Sequence, residues 1–258
     1  LKMVTYLLKK SYQRKTLKEI KFQDLWGDKG VFTTMMIFGK PAKILFFKNH
    51  IENLIKSAKH YKLNKLKLKN DILNLIKRNI NKKKTYNHLL RVALNNKTLS
   101  ISLRKKITPK LKFNLKLIKY KRMDPEFKNL KYKIILKHLS KMDNSSSDVA
   151  LSFNNKLLES GTSNILLIKN DKVYSPLEGI YKGITYNFFK QKLKKIINKD
   201  IFVKTLDSYD EIILIGSGKG VASIQTISNI KWKRKSLNFY KKLSYIYNKE
   251  ISKCLVYK

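Results

Sequence analysis

The stretch DVALSFNNKLLESGTSNILLIKNDKVYSP, residues 148–176, most constrains what this chain can fold into. Short apolar runs alternate here with Asn, Asp, Gly and Ser, the residues that form tight turns. This spacing predicts three or four short strands joined by tight turns. One carboxylate, Glu159, stands beside the small polar residues 160–164. The stretch therefore predicts sheet structure that carries a lone acid at a turn.

The formal net charge of +41 on 258 residues suggests a polyanion as partner, since Lys and Arg release counterions from phosphate backbones. However, only six of the basic residues are Arg, and the Lys residues are spread along the whole chain together with Asn and Ile. No RNP, zinc-finger or zipper pattern occurs. The composition thus indicates a general drift of surface positions toward Lys. Nucleic-acid binding is kept only as an alternative.

Neither a membrane span nor a secretory signal is predicted. No run of 18 apolar residues occurs, and the first residues are too interrupted by charge for a signal peptide. The single cysteine, Cys254, excludes an internal disulfide and a thiolate-rich metal site. These observations favour a cytoplasmic protein without a metal site.

Hydrophobic spacing elsewhere predicts a mixture of strands and helices. Residues 31–38 and 42–47 predict a β-hairpin around the turn GKP, and residues 86–96 and 99–107 a second strand pair. Helices are predicted, with Asp71 as the cap of the second, over 48–61, 69–80, 130–142 and 183–200. The length allows two modest cores.

A break near Pro125 divides these elements. Proline disfavours continuation of regular structure from the preceding residue. We therefore predict two α+β domains, at 1–120 and 128–258, joined by a linker at 121–127.

The segment DEIILIGSGKGVAS, residues 210–223, is a strand that runs into a glycine-containing turn. It lacks the last glycine of a dinucleotide-binding fingerprint, because Val221 stands there. It is not a P-loop either, since Lys219 precedes Gly220 and not Ser or Thr. The N–H groups of such a turn still suit a phosphate, although a plain turn explains the pattern equally well.

The segment YKGITYNFF places Gly183, Ile184 and Thr185 at a predicted helix start. Exposed N–H groups and the helix dipole favour an anion there, although Thr185 could also be a simple N-cap. No histidine stands at ligand or triad spacing from a carboxylate. We interpret the following as surface or packing residues: His50, His60, His88 and His138.

Three segments occur in a characteristic order: LLESGTSNILLIKNDKVYSP, GIYKGITYNFF and DEIILIGSGKGV. In this order they resemble the pyridoxal-phosphate enzymes of fold type IV, which include the branched-chain and D-amino-acid aminotransferases and aminodeoxychorismate lyase. The resemblance runs in patches over residues 27–225. It implies a two-domain α+β fold of the D-amino-acid aminotransferase type, with pyridoxal 5'-phosphate in the cleft between the domains. It also implies a homodimer.

The resemblance also implies roles for single residues. Glu159 would face the pyridine nitrogen of the cofactor, where a carboxylate keeps that nitrogen protonated. Ile184 and Thr185 would bind the cofactor phosphate at the helix start. Ser217 and Gly218 would bind its other side.

The family's cofactor-binding lysine precedes the acid by about thirty residues, just ahead of a helix, often as Lys-x-Leu-Asn. Lys128 in FKNLKYKIILKHL fits this pattern, although Lys131 stands where Asn is usual. The residues around Lys137 resemble the local sequence of the lyase more closely. Lys137 lies nearer to Glu159 and inside the predicted helix, so we favour Lys128.

The N-terminal half resembles the lyase branch of this group. WGDKGVFTTMMIFGKP is similar to the lyase's Gly-Asp-Gly-x-Phe-Thr-Thr segment, with Phe32, Thr33 and Thr34 as the matching residues. This implies a 4-amino-4-deoxychorismate lyase, which releases pyruvate and forms 4-aminobenzoate on the route to folate. A branched-chain or D-amino-acid aminotransferase of the same fold is the alternative.

Two positions depart from the family pattern. NHIENLIKSA resembles the family's His-x-x-Arg helix, but Asn53 replaces the Arg that reaches the cofactor phosphate. The resemblance assigns Asn53 to the cofactor site at this position, and Lys56, one helical turn on, could supply the missing charge. Tyr186 stands where Arg usually follows Gly-Ile-Thr.

Overall fold

A computed structural model describes residues 5–63 and 66–256. The chain forms two compact units. The N-terminal unit comprises the described residues of Lys2–Lys106, Phe127–Lys133 and Cys254–Lys258, and the C-terminal unit comprises Ile107–Glu126 and Ile134–Lys253. The domain limits predicted from the sequence stay a prediction. None of the helices in the described ranges has the length and apolarity needed to cross a membrane.

The N-terminal unit is built on an antiparallel sheet and two helices. Within the described residues the sheet has six strands in the order β2-β1-β6-β5-β3-β4. The strands are β1 (Tyr6–Gln13), β2 (Glu19–Ile20), β3 (Val31–Gly39), β4 (Lys43–Ile44), β5 (Tyr86–Leu94) and β6 (Thr98–Lys105). Helices α1 (Phe47–His60) and α2 (Leu68–Asn79) share one apolar core with this sheet.

Both helices of this unit agree with the predicted ranges to within one residue at each end. The predicted hairpin is correct only in its first strand. Its return strand pairs at Lys43 and Ile44 alone, because Phe46 adopts a left-handed φ of 54° and α1 begins at the next residue. Asp71 lies in the first turn of α2 and is not its cap, a position that Lys67 occupies.

Arg14 ties two loops of the N-terminal unit together. Its side chain is buried, and its two terminal nitrogens donate to the carbonyl oxygens of Asn95 and Leu63, at 2.9 and 2.6 Å. A planar guanidinium can bridge two acceptors in this way, whereas a lysine ammonium acts as a single point charge.

The C-terminal unit contains a mixed sheet, which has nine strands among the described residues, in the order β12-β11-β10-β14-β15-β7-β8-β9-β13. Its strands are β7 (Phe113–Lys119), β8 (Ser147–Phe153), β9 (Lys156–Ser160), β10 (Asn164–Lys169), β11 (Lys172–Pro176), β12 (Ile196–Lys199), β13 (Ile201–Phe202), β14 (Glu211–Gly216) and β15 (Gly220–Ser228). The predicted strands of residues 148–176 are therefore present as β8 to β11.

Three α-helices and a 3₁₀ helix complete the described elements: α3 (Lys133–Leu139), α4 (Ile184–Lys192), α5 (Asn238–Lys253) and the 3₁₀ turn Val203–Ser208. Helix α4 packs against β14, and α5 packs against β15. Both oxygens of the buried Glu211 carboxylate cap α5, accepting from the backbone N–H groups of Phe239 and Tyr240 at 2.9 Å each.

Two predicted helices are shorter in the structure. Helix α3 covers only part of the predicted range 130–142. The helix predicted over 183–200 ends at Lys192, because Leu193 is extended and Ile196–Lys199 pairs in parallel with β11. Pairing at the sheet edge outweighs the helical spacing here, and β-branched residues such as Ile196 and Ile197 suit a strand.

Candidate active site

Glu159 lies near the end of β9 and is 5% exposed. Arg122 Nε donates to its Oε1 at 2.6 Å, and the backbone N–H of Tyr181 donates to its Oε2 at 3.2 Å. Arg122 also donates from a terminal nitrogen to the Pro125 carbonyl oxygen at 2.7 Å. An ionised carboxylate offers about four lone-pair sites. The acid is therefore held in a fixed orientation and retains capacity for a further donor.

The sequence analysis did not identify Arg122 as a site residue, although the scarcity of arginine in this chain was a usable signal. Only six of the chain's basic residues are Arg, so an arginine between a strand and a proline was a candidate for fixed geometry. A planar fork is the group that binds a carboxylate with a defined orientation. The Arg122–Glu159 pair is nearly fully buried, with side chains 1% and 6% exposed.

The small residues after Glu159 are required by the packing of the C-terminal unit itself. A Cβ on Gly161 would lie 2.7 Å from Val149 Cγ2 and 2.9 Å from Asp148 Oδ1. Ser160 Oγ accepts from the backbone N–H of Ser163 at 2.8 Å and donates to its carbonyl at 3.0 Å. The small size of Ser160 and Gly161 is thus explained by close contacts within the C-terminal unit.

Helix α4 begins as the sequence predicted, with Gly183 as its N-cap residue. Asn164 fixes this start, because its Oδ1 accepts from the Gly183 N–H and its Nδ2 donates to the Tyr181 carbonyl. In the described part of the chain no side chain caps α4. Unused N–H groups at a helix start favour an anion.

The structure brings the glycine-containing turn 216–220 to this helix start. Ser217 Oγ lies 3.5 Å from Thr185 Oγ1, so the two predicted phosphate-binding segments are neighbours. Strands β14 and β15 on either side of the turn are antiparallel, which excludes the strand-to-helix context of a dinucleotide fingerprint. Gly220 closes the turn with a φ of +72° and packs against Tyr247. The N–H and hydroxyl donors at this end of the sheet fit a phosphate group. The Glu159 carboxylate fits a ring nitrogen, so together these groups suit a phosphorylated cofactor that carries one.

Lys128 lies in the N-terminal unit beside the start of β3. The Phe32 N–H donates to the Lys128 carbonyl at 2.9 Å, and the Leu130 N–H donates to the Gly30 carbonyl at 2.9 Å. The Lys128 side chain is half-buried, and its Nζ lies 5.3 Å from the centre of the Phe32 ring. Lys137, in contrast, is exposed on α3.

The residue after Phe32 is tied to a buried histidine. Thr33 Oγ1 and His50 Nδ1 are 2.7 Å apart, and His50 is 4% exposed. Burial, and secondly the positive charge of Lys128, lower the pKa of His50 to about 3. His50 is thus a neutral packing residue with a hydrogen bond, as its sequence context indicated.

Asn53 and Lys56 lie on α1 in the N-terminal unit, Asn53 half-buried and Lys56 exposed. Their part in binding a phosphate stays a prediction. Tyr186, at the other departure from the family pattern, is buried in α4 and donates from its hydroxyl to Asn198 Oδ1 at 2.7 Å. It therefore serves the packing of the C-terminal unit.

The sequence profile of the amino-transferase class IV family matches residues 30–227. The chain belongs to the class IV aminotransferase family. The predicted family and its fold type IV architecture are thereby confirmed, as is pyridoxal 5'-phosphate as the cofactor of this family. No curated protein sequence matches the chain.

Solved structures of class IV enzymes share the fold. A branched-chain aminotransferase from Thermoproteus uzoniensis matches with a TM-score of 0.74 and 17% identity, covering 93% of each chain. A Legionella pneumophila protein provisionally described as 4-amino-4-deoxychorismate lyase matches with a TM-score of 0.72 and 20% identity, covering 86% of this chain and 91% of its own. A Thermobaculum terrenum branched-chain aminotransferase in its PLP form gives 0.73 and 13%, with coverages of 93% and 92%.

Proposed function

We propose that this class IV enzyme is a 4-amino-4-deoxychorismate lyase, which forms 4-aminobenzoate and pyruvate. The observation that carries the proposal is the position of the lyase-like segment GVFTT around Lys128. Phe32 of that segment lies under the Lys128 ammonium, and Thr33 is fixed by His50. The likeness of the fold to the Legionella protein is consistent with this assignment.

Each cofactor-binding residue has a defined task in this proposal. Glu159, oriented by Arg122, binds the pyridine nitrogen and holds a proton there. The start of α4 at Ile184 and Thr185 binds the phosphate, with Ser217 and Gly218 on its other side. Bound pyridoxal phosphate supplies an electron sink for the carbanion that forms on the substrate.

Lys128 would hold the cofactor covalently and would also move the proton. When it is not attached to the cofactor, its amine would take the proton from the substrate ring carbon that bears the amino group. The enolpyruvyl oxygen leaves as this proton is lost, and the ring becomes aromatic. The departing enolate takes up a proton to become pyruvate, so the products contain all the atoms of the substrate.

An aminotransferase for branched-chain or D-amino acids is the second candidate. It is favoured by the family match and by the branched-chain aminotransferases among the structures of the same fold. The two activities differ in their co-substrate, because only transfer of an amino group needs a 2-oxo acid.

The test begins with an absorption spectrum of the purified protein with added pyridoxal phosphate, followed by borohydride reduction and peptide mapping. We expect the pyridoxyl adduct on Lys128, and none after K128A, whereas K137A leaves labelling unchanged. Release of pyruvate from aminodeoxychorismate is then followed with lactate dehydrogenase. Amino transfer to 2-oxoglutarate without release of pyruvate would show that the lyase assignment is wrong.

A homodimer and a cytoplasmic location complete the proposal. The first is tested by light scattering on the eluting peak in size-exclusion chromatography, where a monomer mass would contradict it. The second is tested by fractionation of the source cells with an antibody to the chain, where recovery outside the cytosol would contradict it.

A further inference from the structure

Lys219, in the turn between β14 and β15, is a cation whose side chain is largely but not fully buried. Its side chain is 10% exposed, and its Nζ lies 3.5 Å from Oδ2 of the fully buried Asp148 and 5.2 Å from the centre of the Phe113 ring. An ammonium carries three donors. Over residues 5–63 and 66–256 the structure shows an ion pair for this ammonium but no hydrogen bond.

Asp148 accepts its short hydrogen bonds from groups other than Lys219. Its Oδ1 accepts from the backbone N–H of Val149 at 2.7 Å, and its Oδ2 accepts from Thr162 Oγ1 at 2.7 Å and lies 3.3 Å from Ser160 Oγ. Hydrogen bonds between an ammonium and a carboxylate are usually about 2.7–2.9 Å long. The contact with Lys219 is therefore a long ion pair, which balances the charge but leaves the donors of Lys219 available.

Other ion-paired lysines differ in their surroundings. The side chains of Lys10, Lys110 and Lys235 are 35%, 63% and 54% exposed, and each ammonium donates a hydrogen bond to a protein oxygen. Burying an ammonium without hydrogen bonds is costly. Lys219 therefore stands out from the general lysine surface of the chain.

We propose that Lys219 is a ligand-binding cation, which donates to an anionic oxygen held at the turn 216–220. This inference rests on the proposed function, because it assumes that the end of the sheet around Ser217 and Thr185 is the site. The oxygen belongs either to the cofactor phosphate or to a carboxylate of the substrate.

The test compares the wild type with K219M, K219R and the surface control K235M, all as apoprotein. Titrations with pyridoxal phosphate and with unphosphorylated pyridoxal are followed by absorbance, and inorganic phosphate is followed by its thermal shift. If the cofactor phosphate is the ligand, K219M binds pyridoxal phosphate about 10- to 100-fold more weakly. Pyridoxal binding stays unchanged, the phosphate shift shrinks, and K219R and K235M resemble the wild type.

If the substrate carboxylate is the ligand, K219M binds pyridoxal phosphate normally, but its cofactor-loaded form binds benzoate, used as a carboxylate probe, about 10- to 100-fold more weakly. Unchanged binding of pyridoxal phosphate, inorganic phosphate and benzoate by K219M overturns the proposal. A wild type that binds no pyridoxal phosphate contradicts the proposed function instead, and the thermal shift with inorganic phosphate still tests Lys219. If K219M fails to fold, K219Q takes its place in each titration.

Discussion

The buried Arg122–Glu159 pair allows a quantitative prediction for the variant R122M. Methionine fills much of the space of the arginine but leaves Glu159 with the Tyr181 N–H as its remaining partner among those described above. It also removes the hydrogen bond from Arg122 to Pro125. Removal of one member of a buried ion pair typically costs about 3–5 kcal/mol of stability.

We therefore expect R122M to lose about 3–4 kcal/mol of unfolding free energy at pH 7, because the buried Glu159 carboxylate loses the cation that it faces.

Equilibrium unfolding of the apoprotein in urea at pH 7 measures this value. The matched control is the double variant R122M/E159Q, which removes both members of the ion pair and should lose about 1–2 kcal/mol. A loss for R122M no larger than that for R122M/E159Q, or a loss below about 1 kcal/mol, would refute the view that Arg122 and Glu159 form a buried ion pair that stabilises the fold.

Two further predictions concern buried groups outside this pair. Burial, and secondly the charge of Lys128, lower the pKa of His50 to about 3, so stability should fall by about 1.4 kcal/mol per unit as the pH drops from 6 to 4. H50Q should lose this component in urea unfolding, whereas H138Q should keep it. E211A should cost about 2–3 kcal/mol, because it removes the carboxylate that caps α5; D210N is the control, and an equal loss in both would contradict the cap.

Much of the fold followed from local patterns in the sequence. The sequence shows an apolar stripe along each of α1 and α2, and in the structure these stripes face the core. Strand β12 (Ile196–Lys199) was predicted as part of a helix because its isoleucines are also compatible with a helical stripe. Only pairing with β11, a contact distant along the chain, decides its conformation.

The candidate site was predictable where a residue and its neighbours form a sequence signature. Glu159, Thr185 and Ser217 were predicted in this way; their roles stay a prediction, and in the structure Thr185 Oγ1 and Ser217 Oγ lie 3.5 Å apart. Arg122 and Asp148 were missed, because their partners lie far away along the chain and no spacing rule connects them. Lys219 was considered only as a failed P-loop residue, since its burial is a property of the folded turn.

The way Arg14 bridges two carbonyl groups has a practical consequence for work with so basic a protein. Arg14, Arg91 and Arg234 each donate to the backbone carbonyl oxygen of a residue distant along the chain. Among the described residues, exposed lysines such as Lys56 and Lys137 make no such bond, whereas Lys131 and Lys235 donate to the carbonyl oxygens of Gly27 and Asp207. Surface engineering for solubility or crystallisation can therefore exchange lysines of the first kind for neutral residues, provided that these arginines and lysines that bond carbonyl groups are left in place.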